Sequence, residues 1–363
     1  MSMDIQMLQL SKKKEKSLVG LEIEADSVAA AEIRVNGSSE LTATAIAPLP
    51  PGAFHDGEVV DSDAVAATLK QLFADNGLSS RVRLGIANQR VVVRTLRLPT
   101  IEDPQELEAA IRFQAEEQIP MPLDQAILDY RVIGGASATE DEDAASQIDV
   151  VVVAARRDMI SASLKPLRDA GLKPVGVDLS AFGLIRALKG VIVDEPGVPA
   201  ATVLYCNIGD ITNLAVARGR SCLFTRVAPA GLYDIATSLA GSAGLSQDHA
   251  RLWLTHVGLG RPLEEIEGDP DLIDKARTSL DAGVSTLLDE LRLSLDFYGA
   301  QEGAAPVERV ILSGPASAIP GLVERMSPAL GLPLETATPY ALTGFDPAAA
   351  ARLTLSYGLA LEE

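Results

Sequence analysis

Ile111-Arg112-Phe113-Gln114-Ala115-Glu116-Glu117-Gln118-Ile119-Pro120-Met121-Pro122-Leu123 is the stretch on which the fold turns. Proline lacks an N–H and drives the residue before it away from helical geometry. The run therefore reads as a helix stopped by two prolines, followed by a strand from about Ala126 to Val132. Around it lies a compact unit from Pro99 to about Val177. It holds a helix (Pro104–Gln118), a strand (Ala126–Ile133), an acidic Gly/Ser/Ala-rich loop (Gly134–Ser146), a β-branched strand (Ile148–Ala154), a helix (Asp158–Ala170) capped by Gly171, and a last strand (Lys173–Val177). The charge of the loop and its lack of bulky residues predict disorder there.

Before this unit, Leu18–Ile23, Ala30–Val35 and Leu41–Ala47 read as three strands of a meander. Pro48, Pro50 and Pro51 end it, and an amphipathic helix follows over Asp61–Phe73 with Val65, Leu69, Leu72 and Phe73 on one face. Arg83–Ile86 and Val91–Leu96 are strands with Asn88-Gln89 at the turn between them. After the unit, Thr202–Asn207, Leu214–Ala217 and Ser221–Val227 form a second meander. Helices follow at Leu232–Ala240, Gln247–His256 and Pro270–Tyr298, then a strand (Arg309–Leu312) and helices at Pro320–Leu330 and Pro347–Leu361. The two halves match: Leu18-Val19-Gly20-Leu21-Glu22-Ile23-Glu24 lies over Val203-Leu204-Tyr205-Cys206-Asn207-Ile208-Gly209. Such duplication predicts a cleft between two lobes with the first hairpin of each facing it.

The 363 residues suffice for two or three domains, and 47% of them are hydrophobic, so cores can be buried. A net charge of −19 repels phosphate backbones and argues against nucleic acid. The local exception is Lys12, Lys13, Lys14 and Lys16, read as a solvated tail or as a weak contact with anionic lipid at roughly 1 kcal/mol per Lys. The sequence has no run of about 18 apolar residues that could span a bilayer, and Met1–Leu10 lacks the charge order of a signal peptide. Cys206 and Cys222 fall in strands and read as buried thiols in a reducing compartment.

Several motifs, in this order, resemble the PilM family of type IV pilus assembly. They are Pro48–Asp61, Gln118–Tyr130 with Leu128-Asp129-Tyr130, Ala154-Ala155-Arg156-Arg157, Ala170–Phe182, Ser294-Leu295-Asp296-Phe297-Tyr298 and Tyr357-Gly358-Leu359-Ala360. The resemblance runs from about Ser17 to Leu361. It implies an α/β, actin-like (ribonuclease H-like, duplicated) fold of the FtsA variety with an inserted 1C subdomain. The implied division is a flexible tail over 1–16, subdomain 1A over 17–97, 178–198 and 341–363, subdomain 1C over 98–177, and domain 2 (2A/2B) over 199–340. It implies a cytoplasmic adaptor on the inner face of the inner membrane. The adaptor would bind the N-terminal tail of a PilN-like bitopic membrane protein between 1A and 1C, along a sheet edge or in an apolar groove. Pilus motor ATPases, platform proteins and further copies of the chain are other partners it allows. Alternatives are an ATP-binding switch with weak ATPase activity, an FtsA-like filament or divisome protein, and a relative of the cytoplasmic part of type II secretion.

The cofactor implied by the family is Mg·ATP, held between two hairpin turns whose small residues let backbone N–H groups reach phosphate. The residues in place are Glu22 and Ser27 in the first hairpin, Asn207, Gly209, Asp210, Thr212 and Asn213 in the second, and Ser313 and Gly314 in the adenosine loop. Three departures oppose the cofactor. Glu22 and Glu24 stand where the family has Asp and Gly, Asn207 replaces an Asp, and Pro315 replaces a Gly and removes a donor. Glu24 and Asp26 would repel a triphosphate by several kcal/mol at ~4 Å. No catalytic residue is assigned. The expectation is a degenerate cleft held by packing or by a Glu22–Asn207 hydrogen bond.

His55, His249 and His256 lack metal-ligand partners and read as surface residues, so no metal site is assigned. Trp253 reads as core. The acidic run Glu102, Asp103, Glu106, Glu108, Glu116 and Glu117 is a solvated helix face or a contact for basic residues of a partner. Arg94, Arg97 and Arg112 are the candidates for a peptide-binding groove at the 1A/1C junction.

Overall fold

The computed structural model describes residues 16–35, 39–135, 147–191, 200–219, 221–301 and 303–361. Most of the lysine-rich tail (through Lys14) and most of the acidic loop (136–146) lie outside these residues. The first lobe starts with β1 (Lys16–Ile23), β2 (Ser27–Val35) and β3 (Ser39–Pro48). A small hairpin, β4 (Phe54–His55) and β5 (Glu58–Val59), precedes α1 (Ser62–Asn76) and β6 (Arg81–Ile86). Asp61 caps α1 by accepting from Asp63 N and Ala64 N, and Gly77 ends it in the left-handed conformation.

The chain then enters β7 (Val92–Pro99), α2 (Pro104–Gln118), β8 (Ala126–Gly135) and β9 (Gln147–Arg156). These make a separate three-stranded antiparallel sheet, ordered β7-β9-β8. Helix α2 covers it with Ile111, Ala115 and Ile119 against Leu96, Leu98, Val150 and Val152. As the sequence predicts, the helix ends where Ile119, forced by Pro120, turns extended at φ −100°. Then follow α3 (Arg157–Asp169), β10 (Lys173–Leu179) and α4 (Ser180–Leu188).

The second lobe contains β11 (Thr202–Ile208), β12 (Thr212–Arg218), β13 (Ser221–Ala228), α5 (Leu232–Ala243), α6 (Gln247–Val257) and α7 (Pro270–Gly299). It closes with β14 (Arg309–Ser313), α8 (Leu322–Leu330), β15 (Leu334–Thr336) and α9 (Pro347–Ala360), the last of which returns to the first lobe. The two large sheets have one pattern. Strand order is β3-β2-β1-β6-β10 in one and β13-β12-β11-β14-β15 in the other. Each runs antiparallel across its meander and parallel at its last two joins.

The structure regroups three elements that the sequence reading divided differently. Strand β10 and helix α3, read as part of the 98–177 unit, belong to the first lobe: β10 pairs in parallel with β6, and Leu167 and Leu172 complete the core of Val65, Leu69 and Leu72. Strand β7, read with the first unit, pairs instead with β9. The turn at Asn88-Gln89 is thus a passage between two sheets, because β6 is taken up by β1 and β10. Sequence spacing cannot tell a hairpin from such a passage.

Helices α4 and α9 lie between the lobes. Ala181, Leu184, Ile185, Leu188 and Leu355 pack on Val203, Tyr205, Ala215 and Ile311 of the second sheet. The two helices touch backbone to backbone: a Cβ placed on Gly358 would stand 1.9 Å from Gly183 O. Gly358→Ala is therefore expected to lower denaturant-unfolding stability by at least ~2 kcal/mol through overpacking. Gly241→Ala, in α5 with open space around it, is expected to gain about 0.5–1 kcal/mol. Equal shifts for the two variants would refute this account of the helix contact.

Candidate functional site

The turn of each large sheet's first hairpin carries the site. In the first lobe it is Glu24-Ala25-Asp26, between β1 and β2; in the second it is Gly209-Asp210-Ile211, between β11 and β12. The turns face each other and exchange hydrogen bonds. Ala25 N donates to Asp210 Oδ2 at 2.7 Å, and Asp210 N donates to Glu24 Oε1 at 3.3 Å. Gly209 is needed for this approach, since a Cβ there would fall 1.8 Å from Glu24 Oε1.

Two arginines complete the cluster. Arg352 of α9 donates to Glu24 Oε2 at 2.7 Å and to both Asp26 oxygens at 2.8 and 2.9 Å, and also reaches Ser27 Oγ. Arg251 of α6 pairs with Asp26 at 3.1 Å and with Asp210. The side chains of both arginines are only 16% exposed. Burial lowers the Arg352 pKa, but the facing Glu24 and Asp26 more than reverse that and leave it raised. Burial drives the Glu24 carboxyl up to about 7 against the pull of Arg352, and with Glu24 beside it drives Glu22 well above the carboxylate range. For Asp26 burial acts upward too, but Arg352 and Arg251 together hold it below its ordinary value.

Among the sequence candidates, Glu22 is buried at the end of β1 beside this cluster, and Ser27 and Asp210 belong to it. Asn207 does not bridge to Glu22; its Nδ2 donates to Ser313 Oγ at 3.2 Å within the second lobe. Thr212 Oγ1 donates to Ala230 O at 2.7 Å, a bond that pins the start of β12. Asn213 is buried and lines the inter-lobe space, and Gly314 takes φ +87° in the loop after β14. Nor are Glu24 and Asp26 bare negative charge, as the sequence reading has them. Arg352 and Arg251 compensate them. Glu24, Asp26 and Asp210 offer oxygens within 4.8 Å of one another, yet all three are held by guanidinium groups.

The residues do not fit a Mg·nucleotide. Glu24 lies against Gly209, the Ala25 and Asp210 N–H donors are taken by carboxylates, and Asn207 is engaged with Ser313. Sequence reading missed Arg251 and Arg352. One signal was available for the second: Arg352 is the lone charge in α9, and a buried charge requires a partner.

A second cleft, of about 1,030 Å³ with its open mouth, lies between Val91–Arg94, the start of α4 and β13. Strands β7 and β13 are each the edge of their sheets. Val92, Val93 and Val227 give the cleft apolar walls, and Arg94 and Arg226 line it. The three groove candidates are not gathered there. Arg97 faces Asp149 at 3.1 Å across the β7–β9 ladder, and Arg112 pairs with Glu108 along α2 at 3.1 Å. The three histidines stand apart, with His55 against Tyr233 of the opposite lobe at 5.1 Å between rings. Trp253 packs on the second-lobe core, Cys206 is a buried free thiol and Cys222 a half-buried one. Among the described residues no helix is long and apolar enough to cross a membrane.

Truncating one member of a buried ion pair strands its partners, so Arg352→Met should cost about 3–5 kcal/mol. Arg97→Met, at an exposed pair, should cost less than ~1 kcal/mol. Chemical unfolding of both variants checks this contrast. The pH dependence has a definite sign. A carboxyl whose pKa rises on folding, as for Glu24 from 4.5 to about 7, contributes stability that is complete below pH 4.5 and is lost as pH rises through 7. Glu22 adds in the same direction, while Asp26, lowered on folding, loses its contribution in acid below its ordinary 3.8. Thermal melts should therefore show stability falling from pH 4.5 to 7, with a shallower slope in Glu24→Gln. An unchanged slope in that variant would remove Glu24 as the source.

Residues 20–362 match the family model described as type IV pilus assembly protein PilM. Among solved structures, the chain resembles one titled PilM-PilN type IV pilus biogenesis complex at 28% identity and TM-score 0.76, over 94% of this chain and 97% of that one. The ethanolamine utilization protein EutJ from Carboxydothermus hydrogenoformans is similar at 13% identity and TM-score 0.53, over 94% and 89% of the two chains. MreB5 of Spiroplasma citri bound to ADP is similar at 12% and 0.50, over 95% and 94%. The last two likenesses show the fold alone, which is actin-like. With a match that spans nearly its whole length, the chain belongs to the PilM family of type IV pilus assembly proteins.

Proposed function

We propose that the chain is a scaffold of the type IV pilus inner-membrane assembly platform. On this reading it works on the cytoplasmic face and holds the N-terminal tail of a PilN-like membrane protein. The observation that carries the reading is the 28% identity, over 94% of the chain, to a structure titled as a PilM-PilN complex. The cleft between β7 and β13 is our choice for the tail. Two sheet edges border it, apolar walls can take alternate side chains, and an extended segment adds to such an edge. The reading includes no catalysis, because the inter-lobe turns spend their donors and carboxylates on each other.

Calorimetric titration with a synthetic PilN-type N-terminal peptide tests it. Saturable binding is expected, weakened at least ten-fold by Val93→Asp, which places a carboxylate in the apolar part of the cleft. Silence of the native protein would count against the scaffold reading. Undiminished binding by Val93→Asp would move the site elsewhere.

A further inference from the structure

We infer that the carboxylates of Glu24 and Asp210 are tethered anion ligands, each seated on the backbone donors of the opposite lobe's hairpin turn. They occupy those donors and keep polyphosphate out of a frame that could otherwise cradle it. This role is independent of the choice of peptide partner. The two seats are reciprocal. Backbone N–H groups in tight turns form concave sites for anion oxygens. In this chain Ala25 N gives its hydrogen to Asp210, and Asp210 N gives its own to Glu24. The glycine of the second turn, which leaves room for a close anion, has Glu24 Oε1 in that room.

The charge balance points the same way. Glu24, Asp26 and Asp210 face Arg251 and Arg352, three carboxylates against two guanidiniums. Glu24→Ala combined with Asp210→Ala removes two of these carboxylates, together with the oxygens that occupy the turns, and leaves the third. Asp26 still grips both arginines, at 3.1 Å from Arg251 and at 2.8 Å from Arg352, so neither guanidinium loses its anchor. The cluster then carries one net positive charge, with forked donors suited to phosphate oxygens. Arg251 Nε, buried and without an acceptor, is one further donor beside it.

The experiment is calorimetric titration of the native protein, of Glu24→Ala, of Asp210→Ala and of the double variant, with Mg·ATP and separately with magnesium pyrophosphate. Circular dichroism and a cooperative thermal unfolding transition establish that each variant is folded. The native protein should bind neither polyphosphate, and the double variant should bind both at least ten-fold more tightly than the native protein. Each single variant, a smaller perturbation and the safeguard should the double variant not fold, should show part of that gain. Pyrophosphate binding equal to that of ATP assigns the gain to the turns, and a marked preference for ATP adds a nucleoside contact; both outcomes support the inference. It is overturned if the native protein already binds polyphosphate as well as the variants do, or if folded variants gain nothing. The scaffold reading is judged on peptide binding by the native protein and this inference on polyphosphate binding by the variants, so failure here is distinguishable from failure of the scaffold reading.

Discussion

A guanidinium withdrawn from water among the carboxylates of two hairpin turns governs how the parts of this molecule are set. Arg352 is the only charged residue in α9, and taking it out of water is costly unless carboxylates meet it with good geometry. Glu24 and Asp26 do so, and that fixes the helix in depth and rotation against β1 and β2. The glycine contacts of α9 with β1 and α4 then follow as a matter of clearance, since a helix held this close leaves no room for side chains. Through Asp26 the same cluster reaches Arg251, and through Arg251 it reaches Asp210. One charge thus ties the C-terminal helix, the first turn and the second lobe together.

Ion pairs of this kind add little net stability over well-packed apolar residues, but removing one partner leaves a buried charge uncompensated. The apolar packing of α4 and α9 between the sheets brings the lobes together. The polar cluster joins them at the turns, where five charged groups and two backbone donors from both lobes meet. In this way an actin-like frame can hold its two halves in a fixed relation with its own side chains. That suits a chain that presents an edge-lined cleft between β7 and β13, whose shape depends on how the inserted sheet and the second lobe are set.

Much of the fold was readable in the residues. The proline stop at Ile119-Pro120, the β-branched β9 and the two meanders all carry local signals, because turn geometry, capping and strand propensity act within a few residues. The likeness of the halves placed two hairpins at one cleft, and their turns do meet there. The cleft residues Glu22, Glu24, Asn207 and Pro315 were visible too. Their consequence was not. Glu24 read as a charge repelling a ligand, whereas the structure gives it Arg352, 328 residues away in sequence, as partner.

The elements and the duplication are written in the chain, since each depends on side-chain type and near neighbours. Other features came only with the folded arrangement: β10 joins the first sheet while β7 leaves it, Asn207 turns to Ser313, and each turn is sealed by the other lobe's carboxylate. Strand partners and charge partners are chosen by proximity after folding. The energy of a buried carboxylate depends on which guanidinium arrives beside it, and no local pattern in the chain records that choice.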